Sequence, residues 1–196
     1  MTEAEWLASD NLRLVLKQLR RRPGDRKLRL FACACYRQIW GSLDPRYRKA
    51  LEAAELYADG RASSDELAAA RTSARTVHRL HGIYFAYAPE PTFADVANAV
   101  NYLARRADGP PFPVARTLLR EILNHIFGNP FRPPPPRPDL PVAAEELAAA
   151  LYAGEPCHFA LHDALLEAGH SDLAEHFREA GHPKGCWALD LILGKS

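Results

Sequence analysis

This chain is divided by one stretch, Phe127-Gly128-Asn129-Pro130-Phe131-Arg132-Pro133-Pro134-Pro135-Pro136-Arg137-Pro138. Proline lacks a backbone N–H and fixes φ, so the run can neither continue a helix nor join the middle of a sheet. Consecutive prolines instead favour a stiff, extended segment. We therefore expect a proline-rich strap over residues 128–141. The strap would join an N-terminal helical bundle (1–127) to a smaller acidic, His-rich helical part (142–196) that packs on the bundle.

On both sides of the strap, apolar residues recur at helical spacing. Leu28, Phe31 and Cys35, for example, share one helix face. Ser63 and Glu66 match a capping box, in which each residue satisfies a backbone N–H of the other. The predicted fold is all-α, a single domain of about nine or ten helices. A helix is also expected from Thr92, and shorter ones near residues 143–153, 157–168, 171–180 and 184–193.

Three local patterns predict where helices begin and end. Asp44 followed by Pro45 is typical of a helix start. The sequence Glu-Ala-Gly-His occurs twice, at residues 167–170 and 179–182, and we expect each glycine to end a helix in the left-handed conformation. Residues 187–193 alternate in polarity as a strand would, but a closing helix is the better interpretation beside so many other helices.

Charge also divides the chain, although the net charge is only +1. Residues 1–50 carry 12 Lys/Arg and 5 Asp/Glu, whereas residues 142–196 carry 3 and 9. This asymmetry indicates either docking of the two ends on each other or charged partners.

No apolar run approaches the roughly 20 residues that span a bilayer, and residues 1–6 lack the apolar core of a signal peptide. We therefore expect a cytoplasmic location, no membrane partner and no cofactor, and the four cysteines are expected to be free thiols.

The histidines are the first candidate site. Five of the eight lie between residues 158 and 182. His158 and His162 are four residues apart, and so are His182 and Cys186, which suits two metal ligands on one helix face. We take these four as candidate metal ligands. The alternative is that histidines near helix ends interact with the helix dipole. No pattern supplies the orienting group that a Cys–His nucleophile needs, and no catalytic residue is predicted.

A basic cluster around the start of the second predicted helix is the second candidate site. Cations are disfavoured at a helix N-terminus, whereas phosphate binds there readily. The alternative is a solvated basic surface, or one docked on the acidic part of the chain. No nucleic-acid-binding motif accompanies the charges. The candidate anion-binding or nucleic-acid-binding residues are Arg20, Arg21, Arg22, Arg26, Lys27 and Arg29.

Four strings resemble a large paralogous family of uncharacterised bacterial proteins. They are EAEWL (3–7), DRKLRLFACAC (25–35), FGNPFRP (127–133) and GCWALDLILGK (185–195). The resemblance covers nearly the whole chain in the same order, and it brings no activity or site residue with it. Family members often have another cysteine where this chain has Tyr36. Separately, residues 164–172 are similar to the short helical companion domain found beside leucine-rich and WD repeats in bacteria.

These observations favour a non-enzymatic protein-interaction or scaffold module, with another protein as its partner. The first alternative is a nucleic-acid-binding or phosphate-binding accessory protein that uses the basic cluster. The second alternative is a metal-dependent or Cys/His-dependent enzyme.

Overall fold

The computed structural model describes residues 1–9, 14–15, 19, 24–75, 112–132 and 135–195. These residues contain helices and no strand, which confirms the all-α prediction. The helix expected from Thr92 lies outside them. The elements are α1 (Glu3–Ala8), α2 (Asp25–Arg37), a short 3-10 helix (Trp40–Ser42), α3 (Pro45–Ala58), α4 (Ser64–Arg75), α5 (Phe112–Phe127), α6 (Val142–Ala153), α7 (His158–Glu167), α8 (Ser171–Glu175) and α9 (Trp187–Leu193).

Two compact units make up the chain, Met1–Asn124 and His125–Ser196, here called the first and second unit. The strap therefore belongs to the second unit, whereas the sequence suggested a joint between two parts. Its contacts give the physical reason. Arg137 of the strap forms a 2.9 Å salt bridge with Glu145 of α6. The Arg137 guanidinium also lies against Gly194, where an added Cβ would be 3.1 Å from its Nη1.

The predicted helix starts at residues 63 and 44 are confirmed. The Ser63 N–H donates to the Glu66 carboxylate at 2.7 Å, and the Glu66 N–H donates to the Ser63 hydroxyl at 3.2 Å. Asp44 accepts a hydrogen bond from the backbone N–H of Arg46 at 2.9 Å, and Pro45 is the first residue of α3. These short-range signals work because both partners lie within one helical turn.

Gly169 and the last helix also follow the sequence patterns. Gly169, which follows the C-cap of α7, has φ of +82°, as expected for a left-handed helix end. Gly181 also has a positive φ, +101°, but it does not end a helix, because α8 already ends at Glu175. The alternating stretch forms helix α9, in which Ala188, Leu189 and Ile192 are buried at helical spacing. The predicted helix over 171–180 is shorter than expected, since α8 ends at Glu175.

In the second unit, each helix contributes one face to a single hydrophobic core. Short helices gain little stability from their own hydrogen bonds, so packing of these faces holds them in place. Cys186, the residue before α9, is fully enclosed by this core. The buried residues of the core include Ala144, Ala148, Leu161, Leu165, Leu173, Ala174, Phe177, Leu189 and Ile192.

In the first unit, helix α2 is buried over most of its length. Its two thiols, Cys33 and Cys35, lie in the core, where burial raises the pKa of both. Arg37 of α2 pairs with the buried carboxylate of Glu55 on α3 at 2.7 Å. The two cysteines therefore act as small core residues rather than as reactive thiols.

Two neighbouring leucines of α7 provide a test of the core of the second unit. Leu165 is fully buried and Leu166 is 46% exposed. We expect Leu165→Ala to lower the free energy of unfolding by about 2–5 kcal/mol, because it leaves a cavity. The control Leu166→Ala should change it by no more than about 0.5 kcal/mol. Urea denaturation followed by circular dichroism measures both, and equal losses would show that the packing of α7 is wrong.

Candidate metal centre

Four potential metal ligands lie together in the second unit. They are three half-buried histidines and one buried cysteine: His125, His176, His182 and Cys186. One ligand atom from each residue lies within 4.8 Å of all the others. In a tetrahedral zinc site, with bonds of about 2.0–2.3 Å, ligand atoms are roughly 3.4–3.7 Å apart. Small side-chain rotations would therefore close these four atoms around one ion.

The four residues of the cluster lie at helix ends or in the connection between two helices. His125 lies in the last turn of α5, and His176 directly follows α8. His182 lies in the connection from α8 to α9, and Cys186 caps the N-terminus of α9. Ile126, beside His125 in the last turn of α5, is fully buried, so the position of His125 follows from the packing of that helix end. The cluster therefore joins the end of one long helix to a short connection far along the chain.

Hydrogen bonds orient two of the rings towards the sulfur. Nε2 of His182 lies 2.8 Å from the backbone oxygen of Glu179. A carbonyl only accepts, so Nε2 carries the proton and Nδ1 keeps its lone pair. That Nδ1 lies 3.9 Å from Sγ of Cys186, and Nε2 of His176 lies 3.1 Å from the same sulfur. A carbonyl that holds the far nitrogen of a histidine is the usual support of a metal ligand.

The ring of His125 has a buried nitrogen, Nδ1. Its Nδ1 has no hydrogen-bond partner among the described residues. Its ring lies 5.1 Å from the rings of both His176 and His182, measured between centroids. Leaving a buried polar atom without a partner costs about 1–3 kcal/mol, so such atoms are rare. A metal ion bound to Nδ1 would supply the partner.

Burial also keeps the three histidines neutral. Burial, with a smaller contribution from the neighbouring His125, lowers the pKa of His176 to about 3 and that of His182 to about 4. Burial lowers the pKa of His125 as well, although Glu179 opposes this. Neutral imidazole is the form that binds a metal, so at neutral pH these ligands need not lose a proton first.

The cluster contains two of the four ligands predicted from the sequence, His182 and Cys186. His158 is near, with its ring centroid 6.5 Å from that of His182, but it is not one of the four donors. His162 instead forms a 2.9 Å hydrogen bond with the neighbouring Asp163. The four-residue spacing of His158 and His162 does not bring that pair into the cluster.

Two members of the cluster, His125 and His176, were not singled out by the sequence. His176 belongs to the His-rich stretch, but it is six residues from His182 and ten from Cys186. His125 lies before the strap, so no spacing rule connects it to the others. Only the packing of the end of α5 within the second unit brings it there.

The basic cluster is placed differently. Arg29 is 1% exposed, and its guanidinium lies 5.0 Å from the ring of Tyr57. Arg26 forms a 3.1 Å salt bridge with Asp59. Lys27 is half-buried in the first turn of α2. A buried cation and a paired one are poorly placed to hold a phosphate. The other candidate cations, Arg20, Arg21 and Arg22, lie outside the described residues.

Comparisons with known proteins add no relative, because no family model, no curated protein and no solved structure matches the chain. The resemblance to a paralogous bacterial family therefore stays a prediction, and the function has to be inferred from the geometry of the site. No helix among the described residues is long and apolar enough to cross a membrane.

The lowered histidine pKa values predict a loss of stability in acid for the metal-free protein. An unfolded histidine has a pKa of about 6.5, whereas His176 and His182 titrate near 3 and 4 in the folded chain. Below a pH of about 6.5 the unfolded state therefore binds more protons, and the free energy of unfolding falls as the pH falls. Urea denaturation with a chelator at about pH 7 and about pH 5 measures the difference.

Two variants make the acid test specific. His176→Asn should flatten the pH dependence, because it removes the titrating ring with the lower pKa. Leu166→Ala is the control, since it changes an exposed side chain that does not titrate and lies outside the cluster, so it should leave the pH dependence as it is. A wild-type midpoint that stays constant between these pH values would contradict the burial of the rings.

Proposed function

We propose that this chain is a non-enzymatic, zinc-binding module, whose second unit is held together by one ion bound to His125, His176, His182 and Cys186. The observation that carries the proposal is the convergence of four donor atoms within 4.8 Å. The buried Nδ1 of His125, which has no hydrogen-bond partner among the described residues, is independent support.

The donor types favour zinc. Three imidazoles and one thiolate are typical ligands of Zn²⁺, whereas Mg²⁺ and Ca²⁺ take oxygen ligands. Structural zinc sites have four protein ligands, and catalytic sites keep one position open for water or substrate. Four convergent donors would fill a tetrahedron, which supports a structural ion and a non-enzymatic role.

Such an ion would connect distant parts of the second unit. It would link the last turn of α5, which carries His125, to the connection that carries His182 and Cys186. Because the unfolded chain has no preformed site, the free energy of metal binding would contribute to folding. Several short helices would then form a rigid scaffold. A rigid scaffold suits the interaction module expected from the sequence, with another protein as its partner.

Metal content tests the proposal. We expect the purified wild-type chain to contain about one zinc ion, because four ligands form one site. His182→Ala and Cys186→Ser should reduce zinc to background, and His162→Ala, outside the cluster, should keep it. Elemental analysis by mass spectrometry after exhaustive dialysis measures the content.

Refolding in the presence of Zn²⁺ controls for loss of the ion during purification. The wild-type chain is unfolded with a chelator and refolded with Zn²⁺, and its melting temperature is compared with that of the metal-free sample. Zinc should raise the melting temperature of the wild-type chain and of His162→Ala but not that of Cys186→Ser. A wild-type chain that takes up no zinc in this experiment would show the proposal to be wrong.

A further inference from the structure

We infer that Trp187 is a positioning residue of the metal centre, which holds the ring of His176 in its binding orientation, and that Gly128 provides the space in which the indole sits. The inference rests on the proposed zinc site and deepens it. Trp187 donates no ligand atom, so its effect on the ion would act entirely through the ligand that it contacts.

The two histidine ligands that follow α8 are supported in different ways. His182 is fixed through the backbone oxygen of Glu179. The side chain of His176 makes its one described hydrogen bond to Sγ of Cys186, which is itself a proposed ligand. No backbone carbonyl among the described residues therefore sets the rotation of the His176 ring. The orientation of the His176 ring therefore has to be set by packing contacts.

Aromatic side chains surround the His176 ring instead. The centroid of the Trp187 ring lies 5.1 Å from that of His176 at an interplanar angle of 63°. Phe177 lies 5.3 Å from it at 89°. Both are edge-to-face contacts, which aromatic pairs prefer. Phe177 is the chain neighbour of His176, whereas Trp187 approaches from the start of α9, so Trp187 is the contact that depends on the fold.

Gly128 explains why the indole can lie there. A Cβ added at this glycine would be 3.2 Å from Cγ and 3.3 Å from Cδ1 of Trp187. The backbone at Gly128 also has φ of +63°, which side chains other than glycine rarely adopt. Gly128 is three residues after His125 in the chain. The contact therefore fixes the end of α5, and with it His125, against the residue that supports His176.

Trp187 thus connects three of the four ligands. It follows Cys186 directly in the chain, packs on His176 and touches the turn after His125. Residues that support metal ligands typically change metal affinity about 10- to 100-fold when they are removed. The same magnitude is expected here, with aromatic packing in the place of a hydrogen bond.

A matched control lies one helical turn away. Leu191 is on the same helix, and it lines the same cavity of about 270 Å³ as Trp187. It is not one of the donors and has no aromatic ring to place on His176. Truncating Leu191 should therefore remove packing from α9 without loosening His176.

The experiment measures Co²⁺ affinity by competition with a chelator, and records the absorption bands of the bound cobalt ion. Co²⁺ occupies tetrahedral zinc sites and its bands report both the geometry and the thiolate bond. We expect Trp187→Ala to weaken binding about 10- to 100-fold and to change the bands. Trp187→Phe, which keeps an aromatic edge on His176, should retain most of the affinity and the wild-type bands. Leu191→Ala should keep both, even where its melting temperature falls.

Gly128→Ala provides a second route to the same result. It keeps the tryptophan side chain but adds a Cβ 3.2 Å from its Cγ, so the indole has to shift against His176, and we expect weaker Co²⁺ binding and altered bands. This variant decides the matter if Trp187→Ala does not fold, since an affinity equal to wild type would then overturn the inference.

The outcomes separate the two claims. If the wild-type chain gives no tetrahedral cobalt bands, the proposed zinc site is wrong and the positioning role falls with it. If the wild-type chain binds Co²⁺ and Trp187→Ala binds equally well with the same bands, only the positioning role is wrong. Equal losses of affinity in Trp187→Ala and Leu191→Ala would also overturn it, because Trp187 would then contribute only general stability.

Discussion

Three imidazole rings pack against one another in the second unit, and the groups around them have to provide partners for the ring nitrogens. Their centroids lie 5.1 Å apart, and burial lowers the pKa of each ring, which favours the neutral imidazoles at neutral pH. A neutral imidazole still needs a donor for its bare nitrogen and an acceptor for its protonated one. The carbonyl of Glu179 and the thiol of Cys186 meet part of this need. Nδ1 of His125 is buried and has no hydrogen-bond partner among the described residues, and this nitrogen is the strongest reason for proposing a metal ion here.

The parts of the fold that sequence could predict are those set within one helical turn. The capping box at Ser63, the cap at Asp44 and the left-handed glycines each depend on residues a few positions apart, so their patterns are legible without tertiary structure. The prediction of helix α9 also used the fold class, because a single strand in an all-helical chain would have no other strand to pair with. The all-α class follows from the sum of such local signals.

The sequence predicted only two of the four residues of the candidate site, because the site depends on contacts between residues far apart in the chain. Helix-face spacing selects residues four apart, and it selected His182 and Cys186 together with His158 and His162. It has no means of selecting His125, which is separated from the rest by the strap and by three helices. The basic cluster shows the same limit: a pattern of charge cannot reveal that Arg29 turns inward onto Tyr57. Long-range packing decided each of these placements.

The single thiolate among the proposed ligands has an electrostatic consequence. With three neutral imidazoles, a bound divalent ion keeps roughly one positive charge, whereas a site of four thiolates would be negative. The second unit as a whole is acidic, since residues 125–196 contain 5 Lys/Arg and 10 Asp/Glu. Glu179 acts on the site directly, because it raises the pKa of His125 against the effect of burial. The net negative charge of this end of the chain would then offset the charge of the ion. Dissolved salt screens the carboxylates, so it would lower the metal affinity without changing any ligand.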